Sequence, residues 1–261
     1  MAGDGGALLQ VQGVSVRFGG IVALDGVSFD VARGDICALI GPNGAGKTTL
    51  FNCMSRLYQY QAGDILLEGR SLTQVPTHRI AGLGLGRTFQ NLAMFRTLSV
   101  ADNVMVGAHA RSSAGFAASA LRLPSVKAEE ARLRARAAEI MDDLGLAPHA
   151  ARPAGDLPFA VQKRVELARA LASEPKLLML DEPAAGLNHE ELHALTELVR
   201  DIRDRRGLTV LLVEHHMSMV MGLSDHVVVL NFGRKIADGT PEHVQNHPDV
   251  IEAYLGASTH G

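Results

Sequence analysis

Cysteine is scarce in this sequence, with only Cys37 and Cys53 among 261 residues. Cys37 lies in a predicted strand and Cys53 in the helix that follows it, and both have apolar neighbours. Free cysteine in such surroundings behaves as a small buried hydrophobic side chain, and disulfides are rare in reducing compartments. The pattern therefore favours two buried thiols over a disulfide or a pair of metal ligands.

Long apolar runs are absent as well. The longest ones, LTVLLV and HVVVL, have the length of a β-strand and are far too short to cross a bilayer. The N-terminal stretch MAGDGGALLQ has neither the basic segment nor the apolar core of a signal peptide. We therefore expect a soluble or peripheral protein, so that in any membrane process another chain would cross the lipid.

The sequence also lacks a strong excess of charge of either sign. The formal net charge is −3, which indicates no strongly basic face, so nucleic acid is not an expected partner. Hydrophobic residues make up 47% of the chain, which is enough to bury a sizeable core in one large domain or two small ones.

What the sequence does contain is an alternation of strand and helix patterns. LLQVQGVSVRF and IVALDGVSFDV, separated by Gly19–Gly20, are typical of a hairpin of two strands. Further along, short apolar strands such as KLLML alternate with helical patterns such as VQKRVELARALAS. Strands that alternate with helices indicate an α/β fold with a parallel sheet and helices on its faces.

The middle of the chain has a different composition. HARSSAGFAASALRLPS is rich in Ala and Ser, and VKAEEARLRARAAEIMDDLG has one apolar helical face and ends at a glycine. This block indicates a helical insertion. We predict a single domain over residues 7–256, a mostly helical subdomain at 92–156 inserted within it, and a flexible tail at 257–261.

The segment GPNGAGKT, Gly41–Thr48, fits the pattern G-x-x-x-x-G-K-[ST] and lies between a predicted strand and a predicted helix. Its glycines let successive backbone N–H groups turn towards phosphate oxygens, and the helix N-terminus favours an anion. Lys47 supplies a positive charge for the β- and γ-phosphates, and the Thr48 hydroxyl suits Mg²⁺. The segment therefore predicts a nucleotide-phosphate site.

Polar residues follow two further predicted strands. Asp181 and Glu182 end the strand KLLML, and His215 comes after LTVLLVE. Because ligands bind at the carboxyl edge of an open parallel sheet, Asp181 suits Mg²⁺ and Glu182 suits a base or water-orienting group. Two alternatives stay open: the acidic pair could cap a helix before Pro183, and paired histidines are often surface residues or a weak metal site.

In their order and spacing, GPNGAGKTTLFN, GRTFQN, LLMLDEPAAGLN and LLVEHHM resemble the motifs of ATP-binding subunits of ABC transporters, and the resemblance covers nearly the whole chain. It implies a RecA-like P-loop NTPase core with an N-terminal antiparallel β-subdomain and a helical subdomain. RTFQN, DEPAAGLN and the ending VIEAYLG resemble the ATPases of importers for branched-chain and other hydrophobic amino acids. Importers of urea or amides and soluble non-transport ABC ATPases are the alternatives.

The resemblance also implies roles for individual residues. Phe18 would stack on adenine, and Gln90 would contact Mg²⁺ and the attacking water. Asp181 would join Thr48 and Gln90 at Mg²⁺, Glu182 would be the catalytic carboxylate, and His215 would contact the γ-phosphate. The loop Ala184–Asn188 would contact the other subunit of a dimer. The ATP-binding loop would comprise Gly41, Pro42, Asn43, Gly44, Ala45, Gly46, Lys47, Thr48 and Thr49.

The same resemblance implies partners. ATP would bring this chain together with a second ATPase subunit, and the pair would serve two transmembrane permease subunits at the cytoplasmic face of the plasma membrane. An extracytoplasmic solute-binding protein would act indirectly. The cofactors implied are ATP and Mg²⁺.

One stretch departs from the family pattern, in which a helix after an L-S-G-G-Q-like sequence contacts the ATP of the opposite subunit. Pro158 replaces the serine and has neither O–H nor N–H, Ala160 replaces a glycine, and Val161 removes a polar side chain. Two readings remain open: a weakened site that favours a heterodimer, or backbone N–H groups that suffice by themselves. The stretch comprises Leu157, Pro158, Phe159, Ala160, Val161 and Gln162.

Overall fold

The structure is a computed structural model, and it describes residues 6–88, 94–108 and 124–256. The chain divides into two compact units, one formed by Met1–Ile80 with Leu177–Gly261 and the other by Ala81–Lys176. Within the described ranges, no helix combines the length and the hydropathy that a membrane crossing requires.

The strands, in chain order, are β1 (Ala7–Phe18), β2 (Ile21–Ala32), β3 (Ile36–Ile40), β4 (Ala62–Leu67), β5 (Arg70–Ser71), β6 (Leu85–Arg87), β7 (Leu177–Asp181), β8 (Thr209–Val213), β9 (His226–Asn231) and β10 (Arg234–Gly239). The α-helices are α1 (Lys47–Met54), α2 (Val100–Ala108), α3 (Pro124–Asp143), α4 (Phe159–Leu171), α5 (His189–Arg206), α6 (Met217–Leu223), α7 (Pro241–Gln245) and α8 (Pro248–Gly256).

The N-terminal strands form an antiparallel sheet in the order β2-β1-β4-β5. β1 and β2 pair along their whole length and meet at the Gly19–Gly20 turn, where Phe18 lies opposite Ile21. The two strands alternate buried and exposed residues over much of their length, as expected for a sheet with one face on the core. The predicted N-terminal antiparallel subdomain is confirmed.

In the second sheet of the first unit, β10, β9, β3, β8 and β7 are neighbours in that order. β3 runs parallel to both β8 and β9, and β7 runs parallel to β8. Every residue of β3, β7 and β8 is buried, which explains their continuous apolar sequences. Since these strands are parallel neighbours, the segments that follow β3, β8 and β7 leave the same edge of the sheet.

The second unit contains β6 and the helices α2, α3 and α4. Gly107 of α2 lets that helix come close to α4, because a Cβ at this position would lie 2.0 Å from the carbonyl oxygen of Arg169. The buried Asn103 ties down the preceding loop: its amide accepts from the N–H of Phe95 (2.9 Å) and donates to the carbonyls of Phe95 (3.0 Å) and Ser99 (2.9 Å). The boundaries 92–156 remain a prediction, and the tail 257–261 lies outside the described residues.

Candidate functional site

The loop between β3 and α1 forms around the side chain of Lys47. The ammonium group of Lys47 donates to the carbonyls of Gly41 (2.6 Å) and Pro42 (3.0 Å), and so holds the start of the loop against the first turn of α1. Among the described residues, the backbone N–H groups of Gly46, Lys47 and Thr48 have no protein acceptor. The loop therefore offers several N–H donors and one cation to an anion at the N-terminus of α1.

Two glycines of this loop are required by close contacts. A Cβ on Gly41 would lie 2.1 Å from the carbonyl oxygen of Leu230, and Gly41 has φ +149°. A Cβ on Gly46 would lie 2.7 Å from the carbonyl oxygen of Ala23, and here φ is +105°. Both positions exclude a side chain by space and by backbone conformation.

The β9–β10 turn braces the same loop from the side. The N–H of Gly233 donates to the carbonyl of Ala45 (3.0 Å), while the carbonyl of Gly233 accepts from the N–H of Asp25 in β2 (2.9 Å). Tyr254 of α8 adds a contact: burial raises its pKa to about 12, and an interaction with the Gly41 backbone opposes that rise. Sequence reasoning missed these braces, because each one joins segments that are distant in the chain.

Asp181 and Glu182 lie where β7 ends. Asp181, the last residue of β7, is 3% exposed, and it lies opposite Val213 of β8. The N–H of Glu182 donates to the carbonyl of Val213 (2.9 Å), so the ladder between the two strands continues to this residue. Glu182 has φ +47°, an uncommon left-handed conformation for a residue with a side chain, and such strain is frequent at functional sites.

The negative charge of Glu182 acts on Lys47 in the predicted phosphate loop, Gly41–Thr48. Burial lowers the pKa of Lys47, and the negative charge of Glu182 partly offsets that effect. The carboxylate that follows β7 and the ammonium group that follows β3 are thus electrostatically coupled across β8. The structure therefore brings Lys47, Asp181 and Glu182 to one edge of the sheet.

His215 and His216 follow β8, the strand that lies between β3 and β7 in the sheet. His215 is exposed, and its ring lies 4.4 Å from the ring of His216, measured between centroids. The residue before them, Glu214, is fully buried and accepts hydrogen bonds from the backbone of both histidines and from Ala184. The sequence alone placed His215 at this edge, and it gave no role to Glu214 or His216.

Two aromatic rings lie near the tip of the β1–β2 hairpin. Phe18 is 46% exposed and contacts Tyr58 edge to face, with 5.3 Å between the ring centroids, and Tyr58 is 40% exposed. Ile21, opposite Phe18 in the hairpin, is also exposed. A partly exposed aromatic pair of this kind offers a surface on which a planar ring can stack. Tyr58 was missed, because nothing in its local sequence pairs it with Phe18.

The stretch before α4 belongs to the second unit. Pro158 occupies the N-cap position without a side-chain cap, and its carbonyl accepts from the N–H groups of Val161 (2.9 Å) and Gln162 (3.0 Å). The Gln162 amide turns inward and donates to the carbonyl of Leu157 (2.7 Å). In the described part of the chain, the N–H groups of Phe159 and Ala160 have no acceptor, so this helix start offers backbone donors and no hydroxyl.

Gln90 lies outside the described residues. The loop Ala184–Asn188 ends at the N-cap of α5, where Asn188 and Glu191 form a reciprocal capping box with two 3.0 Å hydrogen bonds. This cap holds the end of the loop, and the bond from Ala184 to Glu214 holds its start.

Comparison with known proteins finds two matching family models, "ABC transporter" over residues 24–185 and "Branched-chain amino acid ATP-binding cassette transporter" over residues 234–260. The chain is 44% identical to the high-affinity branched-chain amino acid transport ATP-binding protein LivG of Escherichia coli K12, over 95% of this chain and 98% of that protein. It is 35% identical to the lipopolysaccharide export system ATP-binding protein LptB of Acidithiobacillus ferridurans, over 95% and 97%.

Among solved structures, the chain resembles the ADP conformation of an ATP-binding cassette of an ABC transporter. The TM-score is 0.83 at 31% identity, with 96% of this chain and 99% of that chain covered. A nucleotide-free cassette matches with a TM-score of 0.82 at 30% identity, over 95% and 98% of the two chains.

Proposed function

The chain belongs to the ATP-binding subunits of ABC transporters, and from this premise we propose that it hydrolyses ATP to power an importer of branched-chain or other hydrophobic amino acids. The observation that carries the substrate class is the match of residues 234–260 to the branched-chain family model, together with 44% identity to LivG over nearly the whole chain. LptB, a relative of another transport class, is less similar at 35%.

ATP binds at the carboxyl edge of the second sheet. Backbone N–H groups of Gly41–Thr49 and the Lys47 ammonium group hold the phosphates, because this loop has donors without protein acceptors and a cation already in place. Adenine stacks on Phe18, whose exposed ring is backed by Tyr58. Each charge-assisted hydrogen bond to phosphate contributes about 1.5–3 kcal/mol.

Mg²⁺ fits the residues at this edge. The Thr48 hydroxyl and the Asp181 carboxylate are hard oxygen donors, and Mg²⁺ prefers such ligands together with substrate phosphates. Asp181 is buried at the end of β7, so its carboxylate lies in a rigid part of the fold. Gln90 is the third residue proposed for this ion. When bound, Mg²⁺ neutralises charge that develops on the phosphates.

Hydrolysis depends on Glu182 and His215. The Glu182 carboxylate, held at the end of β7 by the bond to Val213, orients and deprotonates the attacking water. His215, exposed at the end of β8, contacts the γ-phosphate, and Gln90 contacts the same water. The positive charge of Lys47 stabilises the transferred phosphoryl group.

The chain works with other subunits. An ATPase pair couples to two transmembrane permease subunits at the cytoplasmic face of the membrane, and an extracytoplasmic solute-binding protein delivers the amino acid. Membership of the transporter family supports both the permease partners and the pairing of two ATPase subunits. The start of α4 faces the partner's ATP in this arrangement.

We infer further that the second ATPase subunit is a different chain. The start of α4 retains the backbone N–H groups of Phe159 and Ala160 but has no hydroxyl, since Pro158 replaces the serine. In a homodimer both ATP molecules would face this poorer helix start, whereas in a heterodimer only one would. A homodimer is the alternative that the experiment distinguishes.

The test is transport by a reconstituted complex. The chain is co-expressed with candidate permease subunits, with and without a second ATPase, and inserted into proteoliposomes. We expect ATP-dependent leucine uptake that is lost in the Lys47→Ala variant and that requires the second ATPase. Urea uptake without leucine uptake would reject the proposed substrate class. Full transport activity without a second ATPase would reject the heterodimer. Calorimetry that shows no binding of Mg·ATP to the chain would reject the whole proposal.

A further inference from the structure

Glu214 is a buried carboxylate that joins two segments of the site. Its side chain is 0% exposed. Oε1 accepts from the backbone N–H of Ala184 (2.8 Å), which lies 30 positions away in the chain. Oε2 accepts from the backbone N–H groups of His215 (2.9 Å) and His216 (3.1 Å). One carboxylate therefore holds the segment after β7 and the segment after β8.

The same carboxylate also orients a ring. Nδ1 of His216 lies 3.0 Å from Oε2 of Glu214. A carboxylate has no proton to donate, so the ring nitrogen Nδ1–H is the donor in this pair. The His216 ring in turn packs against the ring of His215, with 4.4 Å between centroids and 34° between planes. Glu214 thus constrains His215 through the backbone and through the neighbouring ring.

A metal site is the competing interpretation, since one ligand atom from each of Glu214, His215 and His216 lies within 4.8 Å of the others. Both oxygens of Glu214 and Nδ1 of His216 are already engaged in hydrogen bonds, however. A cation would have to break the bonds that satisfy a buried carboxylate, and leaving backbone donors unsatisfied in the interior is costly. The geometry favours positioning over metal binding.

We propose that Glu214 is a positioning residue that holds His215 ready for the γ-phosphate and couples that histidine to the loop Ala184–Asn188. This inference rests on the proposed function, because the γ-phosphate is the group that His215 contacts there. A hydrophobic side chain would fill the buried position at lower desolvation cost, but it could not accept hydrogen bonds from both segments. One buried side chain therefore joins the loop that faces the other subunit to the histidine that contacts the γ-phosphate.

The test compares ATP with ADP, which lacks the γ-phosphate. All variants carry Glu182→Gln, so that bound ATP persists, and the dissociation constants for Mg·ATP and Mg·ADP are measured on the full chain by calorimetry. Glu214→Gln preserves volume but places an amide NH₂ against N–H donors at one of the two oxygens. We expect the preference for ATP over ADP to fall about tenfold, the equivalent of one charge-assisted hydrogen bond, while the affinity for ADP changes less than about twofold.

The matched control is Glu197→Gln, an identical chemical change at an exposed residue whose carboxylate pairs with Arg200 within α5. We expect it to leave both affinities unchanged. An unchanged preference in Glu214→Gln would overturn the inference, and so would a parallel loss of ATP and ADP affinity, which indicates a merely structural role. A parent protein that binds neither nucleotide would instead reject the proposed function.

A second variant keeps the test decisive if Glu214→Gln does not fold. Glu214→Asp keeps the charge but is shorter by one methylene, so it cannot reach Ala184 and both histidines together. We expect the same loss of ATP preference. A normal preference in Glu214→Asp would show that charge alone matters, and it would contradict the spanning role.

Discussion

Replacing Glu182 by glutamine removes a negative charge at the end of β7 with almost no change in volume. The residue is held by its N–H bond to the carbonyl of Val213 (2.9 Å), and its charge acts on Lys47. If Glu182 takes a proton from the attacking water, its loss slows turnover by about 10²–10⁴-fold, which corresponds to about 3–5 kcal/mol in the activation barrier. Binding of Mg·ATP should persist, because the phosphate loop is intact.

The backbone conformation of Glu182 leads to a second, independent prediction, which concerns stability. With φ +47°, a residue that carries a Cβ is strained by about 1–2 kcal/mol, and glycine is not. Glycine loses more conformational entropy on folding, by about 0.5–1 kcal/mol. Glu182→Gly should therefore be as stable as Glu182→Ala or more stable by up to about 1.5 kcal/mol, although both variants are inactive.

Two assays test the catalytic role of Glu182 and the backbone strain at its position. Steady-state release of phosphate by the assembled transporter gives the turnover of wild type and Glu182→Gln, and urea unfolding gives the free energies of the alanine and glycine variants. Turnover of Glu182→Gln within about threefold of wild type would refute the catalytic role. A glycine variant less stable than the alanine variant would refute the argument that this position is strained.

Three further outcomes are expected. Pro158→Ser restores a hydroxyl at the N-cap of α4 and should raise ATP turnover of the assembled complex about tenfold; an unchanged rate would show that backbone donors suffice. Cys37 and Cys53 should not react with a thiol reagent at pH 8 in the native protein, because burial raises the pKa of both thiols, that of Cys53 to about 11; rapid labelling would contradict their burial. Burial opposes ionisation of Asp238, but its lysine and histidine partners outweigh burial and lower its pKa below 3.8. Asp238→Asn should therefore lower the free energy of unfolding by about 0.5–1 kcal/mol at pH 7. This difference from wild type should disappear as the pH falls below about 4 through the folded-state pKa of Asp238. A difference that does not depend on pH would contradict a stabilising role of the ionised Asp238 carboxylate.

The order of motifs in the sequence was sufficient to predict which strands carry the candidate site residues. The predicted phosphate loop follows β3, Asp181 ends β7 with Glu182 directly after it, and the histidines follow β8, as the alternation of strands and helices indicated. The N-terminal antiparallel sheet and the ABC ATPase fold were also predicted and are confirmed. The roles of Phe18 and His215 remain predictions.

Contacts between distant segments were not predictable. Gly233 braces Ala45, and Tyr58 backs Phe18, yet no local pattern links either pair. His216 had no assigned consequence until its ring was found between Glu214 and His215.

The sequence by itself determined the predicted phosphate loop, the strand-end acids and the family, because each depends on residue types at short, fixed spacing. Only the tertiary structure decided that Glu214 joins the loop at Ala184 to the histidines after β8. The physical reason is that sheet order sets which strand ends are neighbours. Hydrogen-bond partners across that edge are therefore chosen by the packing of the whole domain and leave no periodic trace in the chain.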